Sequence, residues 1–146
     1  MSLLEILISV FLVAVFALSM AALMPAAARM RAKAEHYNKA TNVGQIMLER
    51  IRTLDYAQLT YTLMYQQGLV QNLVTQESAR FVAGFNALSL PGGVTVTLSD
   101  YLPSGTGTIE VINVSSDLRS IIVTTSWSDR GITRNVTLST IVARLN

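Results

Sequence analysis

Leu3-Leu4-Glu5-Ile6-Leu7-Ile8-Ser9-Val10-Phe11-Leu12 opens an apolar run that lasts to Ala28. Glu5 is its only charge, and the next charged residue is Arg29. A helix that crosses a bilayer needs about 20 mostly apolar residues, which Ile6 to Ala28 supplies. Only Ser9, Ser19 and Pro25 interrupt it. A secretory signal peptide would begin with a basic segment and carry a shorter apolar core, so the run reads as a retained span. An ionisable group in such a span is costly and marks a functional position whose partner must be named. At position 5 the nearest candidate partner is an α-amino group, this chain's own or a neighbour's. Pro25 removes a backbone donor and clashes with the preceding turn, which predicts a kink or local unwinding near Ala21 to Pro25.

Beyond the run, the apolar pattern narrows to a stripe. Ala34, Tyr37, Ala40, Val43, Met47, Ile51 and Leu54 recur every three or four residues, the spacing of one helix face. One helix is therefore expected from about Ser2 to Leu54, roughly 80 Å long at 1.5 Å per residue. Gly44 lowers helix propensity by about 1 kcal/mol relative to Ala, and close packing against a sheet is its expected role.

The rest of the chain supplies that sheet. Val94, Val96 and Leu98 alternate with Thr95, Thr97 and Ser99, as in a half-buried strand. Further strands are expected at Ile109–Val114, at Leu118–Trp127 and at Ile132–Val142. Pro91-Gly92-Gly93 and Pro103–Gly107 are loops, and Ser128-Asp129-Arg130-Gly131 is a tight turn closing a hairpin. The expected organisation is a span at 1–28, its amphipathic continuation at 29–54, a connection at 55–90 and an antiparallel sheet of about four strands at 91–146. A short helix is expected around Gln67 to Gln76 within the connection. Residues 29–146 would form one globular head. The fold class is α+β, a long N-terminal helix packed on a C-terminal antiparallel sheet.

Composition narrows the function. Of 146 residues, 51% are hydrophobic and 14% charged, which suits a chain with a membrane span. The net charge of +2 gives no strong field for polyanions, and a nucleic-acid partner would need clustered basic and aromatic residues. Trp127 alone is expected in the core. The absence of cysteine removes disulfides, thiolate catalysis and Cys-based metal sites. His36, the only histidine, has no ligand spacing, and no catalytic constellation stands out. The expectation is a non-enzymatic protein without metal or cofactor. Asn113-Val114-Ser115 and Asn135-Val136-Thr137 match the glycosylation sequon, a short pattern that recurs by chance.

The apolar helix with Glu5, the proline at Pro25 and the amphipathic continuation to the Arg50 region together resemble a type IV pilin or type II secretion pseudopilin. The run from Ile121 through Trp127 to Val136–Thr140 resembles minor-pilin-like members. The likeness covers most of the chain outside roughly residues 55–89. It implies a precursor whose short basic leader is removed by a prepilin peptidase, which also N-methylates the new terminus, here Met1. It further implies that Met1 and Glu5 are assembly residues, Glu5 pairing with the N-terminus of a neighbouring subunit, and that Pro25 is a helix melting point or kink. The implied partners are identical or related subunits, the peptidase and an inner-membrane assembly platform. The implied location is the inner membrane before assembly, then an extracellular filament or the cell surface. The basic cluster Arg29, Arg31, Lys33 would by itself place the head in the cytoplasm; a basic leader lost from in front of Met1 removes that conflict. The chain departs from the family in having Met at residue 1 where Phe is usual, a slightly later proline, and no C-terminal cysteine pair. A minor pilin or pseudopilin that primes or caps assembly, and a single-span membrane-anchored binding protein, are the alternatives.

Overall fold

The computed structural model describes residues 2–89 and 94–144; residues 1, 90–93 and 145–146, and with them the loop expected at Pro91-Gly92-Gly93, lie outside this range. Helix α1 runs over Leu3–Arg52. The chain divides into two units, Met1–His36 and Tyr37–Asn146. The first unit is helical throughout its described part beyond Ser2, and nearly all its side chains are exposed. The second unit, which begins at Tyr37, is the compact head.

In the second unit, the remainder of α1 lies on the sheet. Ala40, Val43, Met47 and Ile51 are buried, as the stripe predicts, and Tyr37 and Leu54 are half-buried, whereas Ala34, the first residue of the expected stripe, is exposed. The chain then passes through a 3-10 turn, Tyr56–Gln58, to α2, Tyr61–Gln66. Strands β1 (Asn72–Glu77), β2 (Arg80–Phe85), β3 (Ala87–Ser89) and β4 (Thr95–Thr97) follow. After a helical turn α3 (Leu98–Tyr101) come β5 (Thr106–Asn113), β6 (Leu118–Asp129) and β7 (Ile132–Ala143). The main sheet has five antiparallel strands in the order β1-β2-β5-β6-β7, and β3 pairs with β4 in a separate two-stranded ribbon.

Two expectations are corrected here. Among the described residues the main sheet has five strands where about four are expected, because the supposed connection supplies β1 and β2 while the strand expected at Val94–Ser99 leaves the main sheet and pairs, as β4, with β3. The helix expected around Gln67 to Gln76 is absent. Instead α2 ends before Gly68, whose φ of 71° few other residues adopt cheaply. Gly68 N–H donates to the Tyr65 carbonyl (3.0 Å) and Leu69 N–H to the Met64 carbonyl (2.9 Å), the paired bonds of a Schellman stop. Met64 and Leu69 are both buried in the main core, which seals that stop. Beyond it, Val74 and Thr75 favour a strand.

The Val94–Ser99 segment also differs. Only Thr95–Thr97 is extended, and Leu98 turns into α3 to bury its side chain. The Thr97 hydroxyl donates to Asp100 Oδ2 at 2.6 Å and fixes that turn.

The β6–β7 hairpin follows its sequence closely. Ile121-Ile122-Val123-Thr124-Thr125 is β-branched throughout, which favours extended backbone. Asp129 pairs with Ile132, leaving Arg130 and Gly131 as a two-residue loop. Both have positive φ, 53° and 80°, as the hairpin turn matching strand twist requires.

The core lies between α1 and the inner sheet face, with Phe85, Ile109, Val111, Ile121 and Val123 fully or nearly fully buried. Each such side chain contributes about 1.5–3 kcal/mol by leaving water. Gly44 sits where a side chain would press on the sheet: an added Cβ would lie 2.8 Å from Leu138 Cδ1. A smaller cluster joins Trp127, Ala40 and Leu102, and the Trp127 ring meets Tyr37 edge-on at 4.9 Å.

Candidate assembly site

Glu5 stands in the first turn of α1. Ser2 opens the helix: its hydroxyl oxygen accepts from Leu4 N–H at 3.2 Å, and its carbonyl accepts from Glu5 N–H at 3.0 Å. The Ser2-x-x-Glu5 spacing is a helix-start signature, and an acidic side chain there is favoured by the helix dipole by about 0.3–1 kcal/mol. Glu5 is exposed, and its carboxylate has no ion pair among the described residues. Met1, the other expected assembly residue and the expected methylation site, lies outside the described residues.

The helix around Glu5 is unusual in what it exposes. Leu3, Leu7, Val10, Phe11 and Leu18 are each more than 60% exposed. The most apolar 18-residue window of α1 has none of its residues buried, and the helix is long and apolar enough to cross a membrane. A shallow groove lined by Leu3, Ile6, Leu7, Val10, Phe11 and Ala14 runs along one face of this helix, on the side away from Glu5. The two serines do not add unpaired polar groups. Ser9 Oγ donates to the Glu5 carbonyl and Ser19 Oγ to the Val15 carbonyl, both at 2.8 Å. Such bonding lets a hydroxyl sit in an apolar setting.

Pro25 lies inside α1. The helix assignment continues through Ala21–Pro25, where a kink or local unwinding is expected. Proline's fixed φ is helical, and the loss is confined to one backbone bond and local crowding. Arg29, Arg31 and Lys33 are exposed on the next turns.

The head has its own polar feature, which the sequence reading missed. Arg119 reaches from β6 to the segment after α1. Its Nη1 donates to the carbonyls of Tyr56 (2.9 Å) and Leu59 (2.7 Å), and its guanidinium lies 4.3 Å from the Tyr56 ring centroid. Beside it a cleft of about 640 Å³ is lined by Arg52, Asp55, Tyr56, Arg119, Val142 and Arg144, among others. The arginines are far apart in sequence, so only the fold reveals their meeting. Among the described residues, no group of three or more His, Cys, Asp or Glu side chains is placed to hold a metal ion. His36 is half-buried at the end of the first unit, and Trp127 is core, as expected.

Comparison with protein-family models, curated proteins and solved structures finds no match to this chain.

Proposed function

We propose that this chain is a structural, non-catalytic subunit of a type IV pilus-like extracellular filament. The observation that carries the reading is the exposed apolar surface of residues 3–28, at the start of a helix that runs on to Arg52 and bearing a single carboxylate, Glu5. Such a surface is stable only in lipid or against other apolar helices. The subunit waits in the inner membrane, having been processed and N-methylated at Met1 by a prepilin peptidase. An assembly platform then moves its helix from lipid into a bundle of like helices. Lipid tails and helix side chains are similarly apolar, so the gain comes from side-chain fit and polar pairing. Glu5 pairs with the amino terminus of a neighbour and sets the axial register. In low dielectric that pair is strongly attractive, and either partner alone is costly. Pro25 leaves one carbonyl without its helical donor, a place where the helix can loosen during packing. A minor pilin or pseudopilin that primes or caps assembly would use the same device.

N-terminal mass spectrometry of the membrane-extracted protein tests the processing step. An N-methylated Met1 at the mature terminus is expected, and a terminus that retains a longer leader contradicts it. One observation favours a second reading, a single-span membrane-anchored binding protein: the Ser2 cap gives Glu5 an ordinary place at a helix start. Filaments on the cell surface that contain this chain would exclude that reading.

A further inference from the structure

Three arginines line the cleft of about 640 Å³ in the head: Arg52 from the end of α1, Arg119 from β6 and Arg144 from just past β7. Cations gathered on the walls of a cleft focus a positive potential into it. The same walls supply one carboxylate, Asp55, which makes no ion pair with any of the three among the described residues. Three arginines against one aspartate leave the lining with a net charge of +2. The C-terminal end of α1 adds a partial negative charge of about half a unit, which Arg50 in the same turn offsets.

Arg119 is held in place and still has donors to give. Both of its hydrogen bonds use Nη1, and the Tyr56 ring packs on its guanidinium. Tyr56 is itself tied down, its hydroxyl donating to the Ser116 carbonyl at 2.8 Å. The Nε and Nη2 hydrogens of Arg119 have no partner among the described residues, and Nε is buried. A buried donor on a charged group is costly to leave unpaired, so an acceptor brought to it is favoured. Arg52 and Arg144 are exposed, and neither side chain makes a hydrogen bond or ion pair among the described residues. The Arg144 N–H donates to the Asp117 carbonyl at 2.8 Å, which fixes the chain at the end of β7 beside β6.

We propose that this cleft binds a phosphate monoester, a terminal phosphoryl group on a small organic body. Such a group carries a charge of about −1.5 to −2 at neutral pH, which matches the lining. It presents three strong acceptor oxygens, one for each guanidinium. A carboxylate has two coplanar oxygens, which one arginine fork already satisfies. A phosphodiester carries a single charge and leaves half of the positive lining unmatched. The cleft has room for more than the phosphoryl group, since its volume lies within the roughly 300–1,000 Å³ of small-molecule sites. Val142 and the Tyr56 ring offer the organic body an apolar wall. The proposal does not depend on the filament reading, because an anchored binding protein would use the same cleft.

Isothermal titration of the full-length protein in non-ionic detergent tests it, at neutral pH and about 0.15 M ionic strength, where diffuse charge attraction is screened. Glycerol 1-phosphate should bind at one equivalent per chain with a Kd below about 1 mM. Diethyl phosphate and succinate should bind at least about tenfold more weakly, the loss of one charge-assisted hydrogen bond. Arg52→Gln and Arg144→Gln should each weaken glycerol 1-phosphate by at least about tenfold. Both should keep the wild-type unfolding midpoint, since neither side chain holds a contact in the head; Arg119, which does, is left intact. Asp55→Asn should tighten binding by about two- to fivefold, through loss of a like charge. Arg31→Gln, outside the head, should leave it unchanged. Absence of saturable binding by the folded protein would overturn the proposal, as would an equal loss from Arg31→Gln. Succinate or diethyl phosphate binding as tightly as glycerol 1-phosphate would overturn it in favour of a dicarboxylate or a phosphodiester. Inorganic phosphate binding more tightly than glycerol 1-phosphate would overturn it in favour of the free ion.

Discussion

Along one helix, Leu3, Leu7, Phe11 and Leu18 stand exposed, whereas Ala40, Val43, Met47 and Ile51 are buried against the sheet. The composition changes with the environment. The first stretch is apolar on every side; the second confines its apolar residues to one stripe between Asn38, Gln45 and Glu49. An amphipathic helix needs one covering surface, and the sheet supplies it. A helix apolar all round needs surroundings on every side, and none of the residues in its most apolar stretch is buried. Stability of the head and completion of the apolar stretch are therefore separate matters, settled by different partners.

Substitutions in the two stretches should separate in the same way. Trp127→Ala removes the centre of the smaller cluster and its edge-on contact with Tyr37. It should destabilise the head by about 3–5 kcal/mol in denaturant unfolding of the detergent-solubilised chain. Gly44→Leu forces a side chain into the space held by Leu138 and should cost about 1–3 kcal/mol in the same measurement. Gly44→Ala should cost less, since helix propensity improves by about 1 kcal/mol while Leu138 must shift. Thr125→Val should act in the opposite direction. The Thr125 hydroxyl is buried facing α1 with no hydrogen-bond partner, so its removal should stabilise the head by about 1 kcal/mol. Leu7→Ala, far up the exposed stretch, should change head stability by less than about 0.5 kcal/mol. A large loss from Leu7→Ala would mean that the first unit is part of the head's own core, and the separation would fail.

Much of this was readable in the sequence because single residue types carried it. Glu5 in an apolar run, the stripe from Tyr37 to Leu54 and the Arg130-Gly131 turn each follow from local chemistry. The β1–β2 hairpin was missed because Leu, Gln and Thr between residues 59 and 76 fit no clear period. The decisive signal was Gly68, a helix stop that the expected Gln67–Gln76 helix would have had to bury in its first turn. The Arg119 clamp and the cleft beside it were out of reach for a different reason. Arg119 acts on carbonyls about sixty positions away, and the cleft joins the end of α1 to the end of β7.

The central claim is that the exposed stretch is completed by other copies of this chain, with Glu5 setting their register. It is tested most directly by counting surface filaments, by electron microscopy with peptide identification, in cells producing the Glu5→Ala full-length protein. Glu5→Ala should enter the membrane at the wild-type level, keep a folded head, and yield few or no filaments. Filament numbers equal to wild type would contradict the account, because a carboxylate that serves only as a helix-start or headgroup contact can be lost without harm to assembly.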